Sequence, residues 1–379
     1  MAVTRCGGTR ARAVDVRRRC GRRTSYDAPA WHGPHVTVQR PQLAPSARRL
    51  WRDRDTLQLG RTPGRAVVLA GIDAALRALL GLLDGTRDRA GVLAAAAAEG
   101  CPPTAAEAVL ELLDGAGLIE DASDDRSVLA TLRRDERDRL AGDLASLQLV
   151  RPRQALPATE RRRAARVVVE GAGRVGAPLA ALLSVAGVGA VDVVDDGLTR
   201  AQDCGVGGLD LSAVGRPRGE AARELVSSLA PSAASAPGVL PDLVVLSPAA
   251  GAALPEPPRH LPYLLAEVRE GTGVVGPLVR PGASACLHCL DLIRTDRDPG
   301  WPALAAQLSV AATGVAPCDA ALAVAVAAQA AQQALALVDG CDQPAAIGGT
   351  LELTLPDWRW RRRSWQVHPA CDCAWRATG

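Results

Sequence analysis

Arg166-Val167-Val168-Val169-Glu170-Gly171-Ala172-Gly173-Arg174-Val175-Gly176 decides the fold. Three consecutive valines are the run expected of a strand covered on both faces, as in a parallel sheet. Gly171, Gly173 and Gly176 follow it as GxGxxG. Glycines at these positions permit a tight turn and close approach of backbone to phosphate. A helix expected over about 178–186 then presents free N–H groups and a positive dipole end. A second apolar run, 191–194, ends in Asp195 and Asp196, where a carboxylate can accept from ribose hydroxyls. Taken alone, the fingerprint fits an NAD or FAD domain as well as an ATP site.

Towards the N-terminus the chain changes character. Residues 1–35 carry eight Arg against Asp15 and Asp27, a charge of +6, with no apolar period, and read as a disordered tail. The folded part opens near Val36, where short apolar runs broken by Pro and Gly read as strands as far as Leu69. Three helices are expected next: one capped by Asp73, one over 88–98, and one opening with Thr104 and Glu107 at capping-box spacing. Short strands followed by three compact helices outline a winged-helix module over 36–150. Its third helix, 105–115, has no Arg and several acidic residues, which excludes a grip on phosphates. A further helix over about 127–147 leads through Pro152 and Pro157 into a second domain, 160–379.

Composition narrows the function classes. With 379 residues, 48% hydrophobic, the chain can fill two or three cores. It has no Lys and no Asn, so all 44 basic residues are Arg. Outside the tail, 36 Arg face 39 acidic residues, and the body is no nucleic-acid binder by charge. The runs Arg17-Arg18-Arg19, Arg161-Arg162-Arg163 and Arg361-Arg362-Arg363 read as tail or solvated faces. The apolar stretch 320–338 is interrupted by Gln329, Gln332 and Gln333 and reads as a core helix, not a membrane span. Without an apolar signal region near the start, the expected location is cytoplasmic. Ten Cys in a reducing compartment then point to metal or free thiols.

Cys286 and Cys289 form one half-site, and Cys371 and Cys373 another more than 80 residues later. Two close-spaced pairs are how a tetrahedral thiolate zinc site is built. Free thiols are the alternative, and His288 or His368 can replace a strained ligand of the CxC pair. Cys318, just before the helix at 320, reads as a small buried cysteine, with a nucleophile whose pKa the helix dipole lowers as the alternative. His260 reads as a loop residue.

In order, the glycine turn, Asp195 and Asp196, Gly215-Arg216-Pro217-Arg218, paired strands over 262–268 and 273–279, Cys286-Leu-His-Cys289 and His368-Pro-Ala-Cys371-Asp-Cys373 form a set. That set resembles the ThiF/MoeB family, the ubiquitin-activating-like adenylyltransferases, over about residues 160–375. The resemblance implies an α/β, Rossmann-like domain, a homodimer, and activation of the C-terminal carboxylate of a small protein by ATP. It assigns Gly171, Gly173, Gly176 and Asp195 or Asp196 to the nucleotide. The family's Lys falls on Arg218, which keeps the charge and changes the phosphate geometry. The segment Gly205-Val206-Gly207-Gly208 stands where the family has an Arg, and Ser247-Pro248-Ala249-Ala250 where it has a magnesium-binding Asp. The expectation is weak or absent binding of ATP and magnesium.

The N-terminal module, with Arg48-Arg49-Leu50-Trp51-Arg52 and Pro299-Gly300-Trp301-Pro302, is similar to the ocin-ThiF-like and cyclodehydratase C proteins of actinobacterial type. These are partners of YcaO enzymes in azole-modified peptide (TOMM, bacteriocin) pathways. The similarity implies that the winged helix holds the leader of a precursor peptide as an added strand and presents it to a YcaO cyclodehydratase. The alternative is an active adenylyltransferase for a sulfur-carrier or ubiquitin-like C-terminus.

Overall fold

The computed structural model describes residues 2–5, 38–62, 66–123, 127–152, 154–233, 238–310, 316–340 and 343–373. They fall into two units, Met1–Leu129 with Ala141–Leu156, and Ala130–Leu140 with Pro157–Gly379. The first holds strands β1 (Ala2–Arg5), β2 (Pro41–Leu43), β3 (Arg49–Trp51), β4 (Thr56–Leu59) and β5 (Val67–Ala70), helices α1 (Ala74–Leu82), α2 (Arg89–Ala98) and α3 (Pro103–Gly115), and strand β6 (Ile119–Asp121). One antiparallel sheet runs β1-β5-β4-β3, and β2 pairs with β6. Alternation does the sorting in β4, where Leu57 and Leu59 are buried and the intervening Gln58 accepts a bond from Arg52. Those leucines close on Leu69, Leu79, Leu110 and Leu113.

Asp73 and Asp88 cap α1 and α2 by accepting from the N–H of Leu76 and Gly91. Three expectations need correction. The capping box at Thr104 is not used: Pro103 opens α3, where its missing N–H costs nothing, and Thr104 lies inside the helix. The single helix expected over 127–147 is two, α4 (Ser127–Ala130) and α5 (Arg134–Val150). Ala2–Arg5, expected within a disordered tail, pairs antiparallel with β5, whose edge offers free peptide groups. Residues 6–35 of that expected tail lie outside the described residues.

The second unit is built on α6 (Ala155–Ala164), β7 (Arg166–Glu170), α7 (Gly176–Val185), β8 (Ala190–Val194), α8 (Arg218–Leu229), β9 (Leu243–Leu246), β10 (Tyr263–Arg269), β11 (Thr272–Val279), α9 (Leu287–Arg297), α10 (Trp301–Leu308), α11 (Ala320–Val338), β12 (Gly349–Thr354) and β13 (Arg359–Ser364). Its seven-stranded sheet runs β13-β12-β11-β10-β9-β7-β8. From β8 to β10 neighbours are parallel, and from β10 to β13 antiparallel, a Rossmann-like half extended by a meander. Glu270 (φ 49°) and Gly271 (φ 74°) make the two-residue turn between β10 and β11, since both central positions of such a turn need positive φ.

Helix α11 is long and apolar enough to cross a membrane, yet Leu322, Val326, Ala330 and Ala334 are buried in the core with Val167, Val169, Leu243 and Leu264. Gln333, one of the three residues that argued against a span, is buried and accepts from the N–H of Ala346 at 2.9 Å. The expected solvated face at Arg161–Arg163 is also corrected. Arg162 is 6% exposed and donates to both oxygens of Asp339 at 2.6 and 2.7 Å, while Arg161 donates to the Asp339 carbonyl.

Candidate functional site

The first site lies where β7, β8 and β9 end. Gly171 takes φ +106°, and a Cβ there would sit 1.9 Å from the carbonyl oxygen of Ser247. A Cβ on Gly176 would meet the Gly171 carbonyl oxygen at 1.9 Å, so these two glycines are required by the turn itself. Gly173 is pressed from outside, since its Cβ would lie 3.0 Å from Cα of Ala249. No side chain caps the N-terminus of α7. Pro178 in its first turn has no N–H and Ala177 donates to the Gly173 carbonyl at 3.1 Å, so what this helix end offers an anion is chiefly its dipole.

Asp195 and Arg218 do meet here, and they meet each other. Arg218, 6% exposed, donates from Nε and one terminal nitrogen to the two Asp195 oxygens at 2.8 and 2.9 Å. Its other terminal nitrogen donates to Asp203 at 2.8 Å. Asp195 also accepts from the N–H of Ala172 and of Gly197, so both its oxygens are engaged. Burial pushes the Asp195 carboxyl up, but the Arg218 contacts and the two N–H donors outweigh it and hold the group below the usual carboxylate range. Burial acts against the Arg218 charge, and Asp195 and Asp203 raise its pKa in spite of it. Asp196, the neighbouring candidate, is exposed.

Two residues here escaped the sequence reading. Asp203 had no motif to mark it. Arg174 did carry a signal, a long cation inside the glycine turn: it donates to the Cys318 carbonyl at 2.9 Å and keeps a buried Nε with no protein partner. Ser247 Oγ, fully buried behind Gly176, also has none. In the stretch 205–208, Gly208 lies against Pro178, where a Cβ would be 2.9 Å from Cδ, and Gly207 takes φ +73°. Cys318 packs against the core and burial pushes its thiol up, which fits the reading of a small buried cysteine and not that of a nucleophile.

The second site gathers Cys286, Cys289, Cys371 and Cys373, whose sulfurs all lie within 4.8 Å of one another. Cys286 caps α9 and Cys289 sits one turn in, so helix geometry sets the first pair. Sγ separations are 3.7 Å for Cys286 to Cys289, 3.6 Å for Cys286 to Cys371 and 3.3 Å for Cys289 to Cys373. Tetrahedral zinc with bonds of about 2.3 Å needs sulfurs about 3.8 Å apart, so the cluster is compatible with structural zinc. His368 is turned away, holding Asp296 at 2.8 Å, and His288 lies outside the cluster. Burial first, then the crowding of thiols, pushes Cys371 up to about 11 and raises Cys373. Against the same burial, hydrogen bonds from backbone and neighbouring thiols lower Cys289. Beside the cluster a cavity of about 740 Å³ opens between Tyr263, His260, His288 and Cys373.

Residues 145–237 match the model of the ThiF family. No curated protein matches. Among solved structures, Escherichia coli MccB with ATP superposes with a TM-score of 0.65 at 13% identity, covering 88% of this chain and 99% of that one. The microcin C7 biosynthetic enzyme MccB in complex with N-formylated MccA gives 0.63 at 13%, with the same coverage. PaaA gives 0.61 at 16%, covering 85% and 99%. At these identities the likeness is one of fold, and it runs through both units. The chain thus carries a ThiF family domain, matched over residues 145–237.

Proposed function

We propose that this protein binds a precursor peptide through its N-terminal unit and presents it to a partner modifying enzyme of the YcaO type, with a ThiF-like unit whose ATP site is degenerate. The observation that carries this reading is the clamp on Arg218. The one cation assigned to phosphate is held by Asp195 and Asp203, and Ala249 backs against Gly173 where a magnesium-binding Asp is expected. A glycine turn and helix dipole hold ground state and transition state about equally, whereas adenylation needs charge neutralised as it develops. The residues present therefore fit an anion and do not fit metal-assisted adenylate formation.

The peptide half of the reading is supported by the strands β3–β5 followed by α1–α3, a winged-helix order, and by the antiparallel seat that β1 takes on β5. In this reading an extended peptide joins a sheet edge in the same antiparallel manner. MccB, similar in fold, is seen with its peptide MccA. In this reading the protein is a cytoplasmic homodimer and the four cysteines hold zinc as a structural tie.

The competing reading, an active adenylyltransferase of a protein or peptide C-terminus, draws on the MccB structure with ATP. ATP–pyrophosphate exchange separates the two. Background exchange with candidate peptides, together with micromolar or tighter peptide binding that survives without ATP, is expected. Robust exchange that Arg218→Ala or Asp195→Ala abolishes would establish the adenylyltransferase instead.

A further inference from the structure

Strand β13 ends the order of the seven-stranded sheet, so one row of its N–H and C=O groups has no neighbouring strand among the described residues. All six of its residues are exposed. Arg359, Arg361 and Arg363 alternate onto one face, opposite Thr354, Glu352 and Thr350 of β12. Just past its end, buried Trp365 lies under three guanidinium groups, those of Arg363 at 5.6 Å, Arg294 at 5.7 Å and Arg297 at 6.0 Å. Arg294 also lies over Trp301 at 4.8 Å. Cations from α9 and β13 thus converge, although the body of the chain has fewer Arg than acidic residues.

The carboxylates that answer them leave most of this charge facing water. Glu352 is 3.4 Å from Arg363 and Asp291 is 3.1 Å from Arg294, while Asp357 serves both Arg359 and Arg361. The pairs on β13, whose arginines are exposed, hold little energy. Burial, and then the charge of Arg269, press against the Arg294 guanidinium, with Arg363 adding to the repulsion.

We propose that the β13 edge and the arginines beside it dock an acidic, extended segment of a partner polypeptide, added to the sheet as an eighth strand. Successive same-face side chains of a strand repeat about every 6.6 Å, so alternate acidic residues of the incoming segment fall opposite alternate arginines of β13. Stacking on Trp365 pre-orders the Arg294, Arg297 and Arg363 groups. Trp358 and Trp360, 53% and 38% exposed, supply apolar area at the same edge. Nucleic acid also favours Arg and Trp, but a row of free peptide groups pairs with peptide. Asp357 and Glu352 interrupt the row of positive charge, which suits acidic side chains spaced along a strand and not an unbroken phosphate backbone. The inference is independent of the glycine-turn reading.

The test is fluorescence anisotropy of a labelled peptide of four Thr-Glu repeats titrated with the full-length protein. Binding is expected to weaken by about tenfold or more in Arg361→Glu with Arg363→Glu, and on raising salt from about 50 to about 300 mM. It is also expected to be lost when alternate peptide nitrogens are methylated. The milder pair Arg361→Gln with Arg363→Gln serves if the Glu pair melts lower. Failure of the peptide to bind, equal affinity for Thr-Gln repeats, or indifference to both double variants overturns the proposal. So does tighter binding of a single-stranded oligonucleotide of equal length, or a dimer in sedimentation that the variants dissolve.

Discussion

Arg162 and Asp339 meet by two short hydrogen bonds out of reach of water. Removing one partner strands the other's charge, so Asp339→Ala is expected to cost about 3–5 kcal/mol, read from the urea midpoint. Replacing both by apolar residues, Arg162→Met with Asp339→Leu, should cost less than the single change, because no charge is left behind. Asp195 answers to pH instead. Its folded carboxyl lies below its unfolded value of about 4, so its ionisation stabilises the fold at neutral pH, and that contribution is lost as acid titrates it through the folded pKa. Asp195→Asn should be less stable at pH 7 and show a shallower acid loss, checked by urea melts at several pH values. At this scale the sequence was legible in residue types and blind to pairing. Arg218 reads as a phosphate cation because the resemblance places the family's Lys there, whereas the carboxylates that take it lie 23 and 15 residues back and converge only in the folded chain.

At the scale of elements, periodicity carried the reading well where one face is buried. The valine strand, the glycine turn, the hairpin of β10 and β11 and the core helix α11 follow from apolar pattern and turn chemistry. It failed at β1, where four residues have too little pattern to stand out from an Arg-rich surround, and at β13, whose six exposed residues look the same as a solvated loop. The cysteine pairs were legible because helix spacing fixes one and a single intervening residue fixes the other. Their meeting ties the segment after β13 to α9, with Trp365 packed against Cys289 and Cys371. Purified protein is expected to hold one zinc per chain. Chelation should expose Trp365 and shift tryptophan emission to the red, and Cys371→Ser should reduce zinc content severalfold, both measurable by metal analysis and fluorescence.

At the scale of the molecule, two units with separate cores, one around Leu57, Leu79 and Leu110 and the other around Val167, Leu264 and Val326, should not melt as one. Calorimetry is expected to resolve two transitions, with a chelator lowering only the one that belongs to the sheet β7–β13. The fold class was readable at this scale because motif order survives where sequence identity does not. The Arg162–Asp339 pair also has a temporal side. The two residues stand 177 positions apart in the chain, so their encounter closes a very long loop and must await the sheet assembled between them. Contacts that form after the folding barrier brake the return journey and do not speed the outward one. Loss of Asp339 is therefore expected to steepen unfolding by roughly the whole of its equilibrium cost and leave the refolding arm of a chevron almost where it was, making this pair a timer on how long the native state lasts.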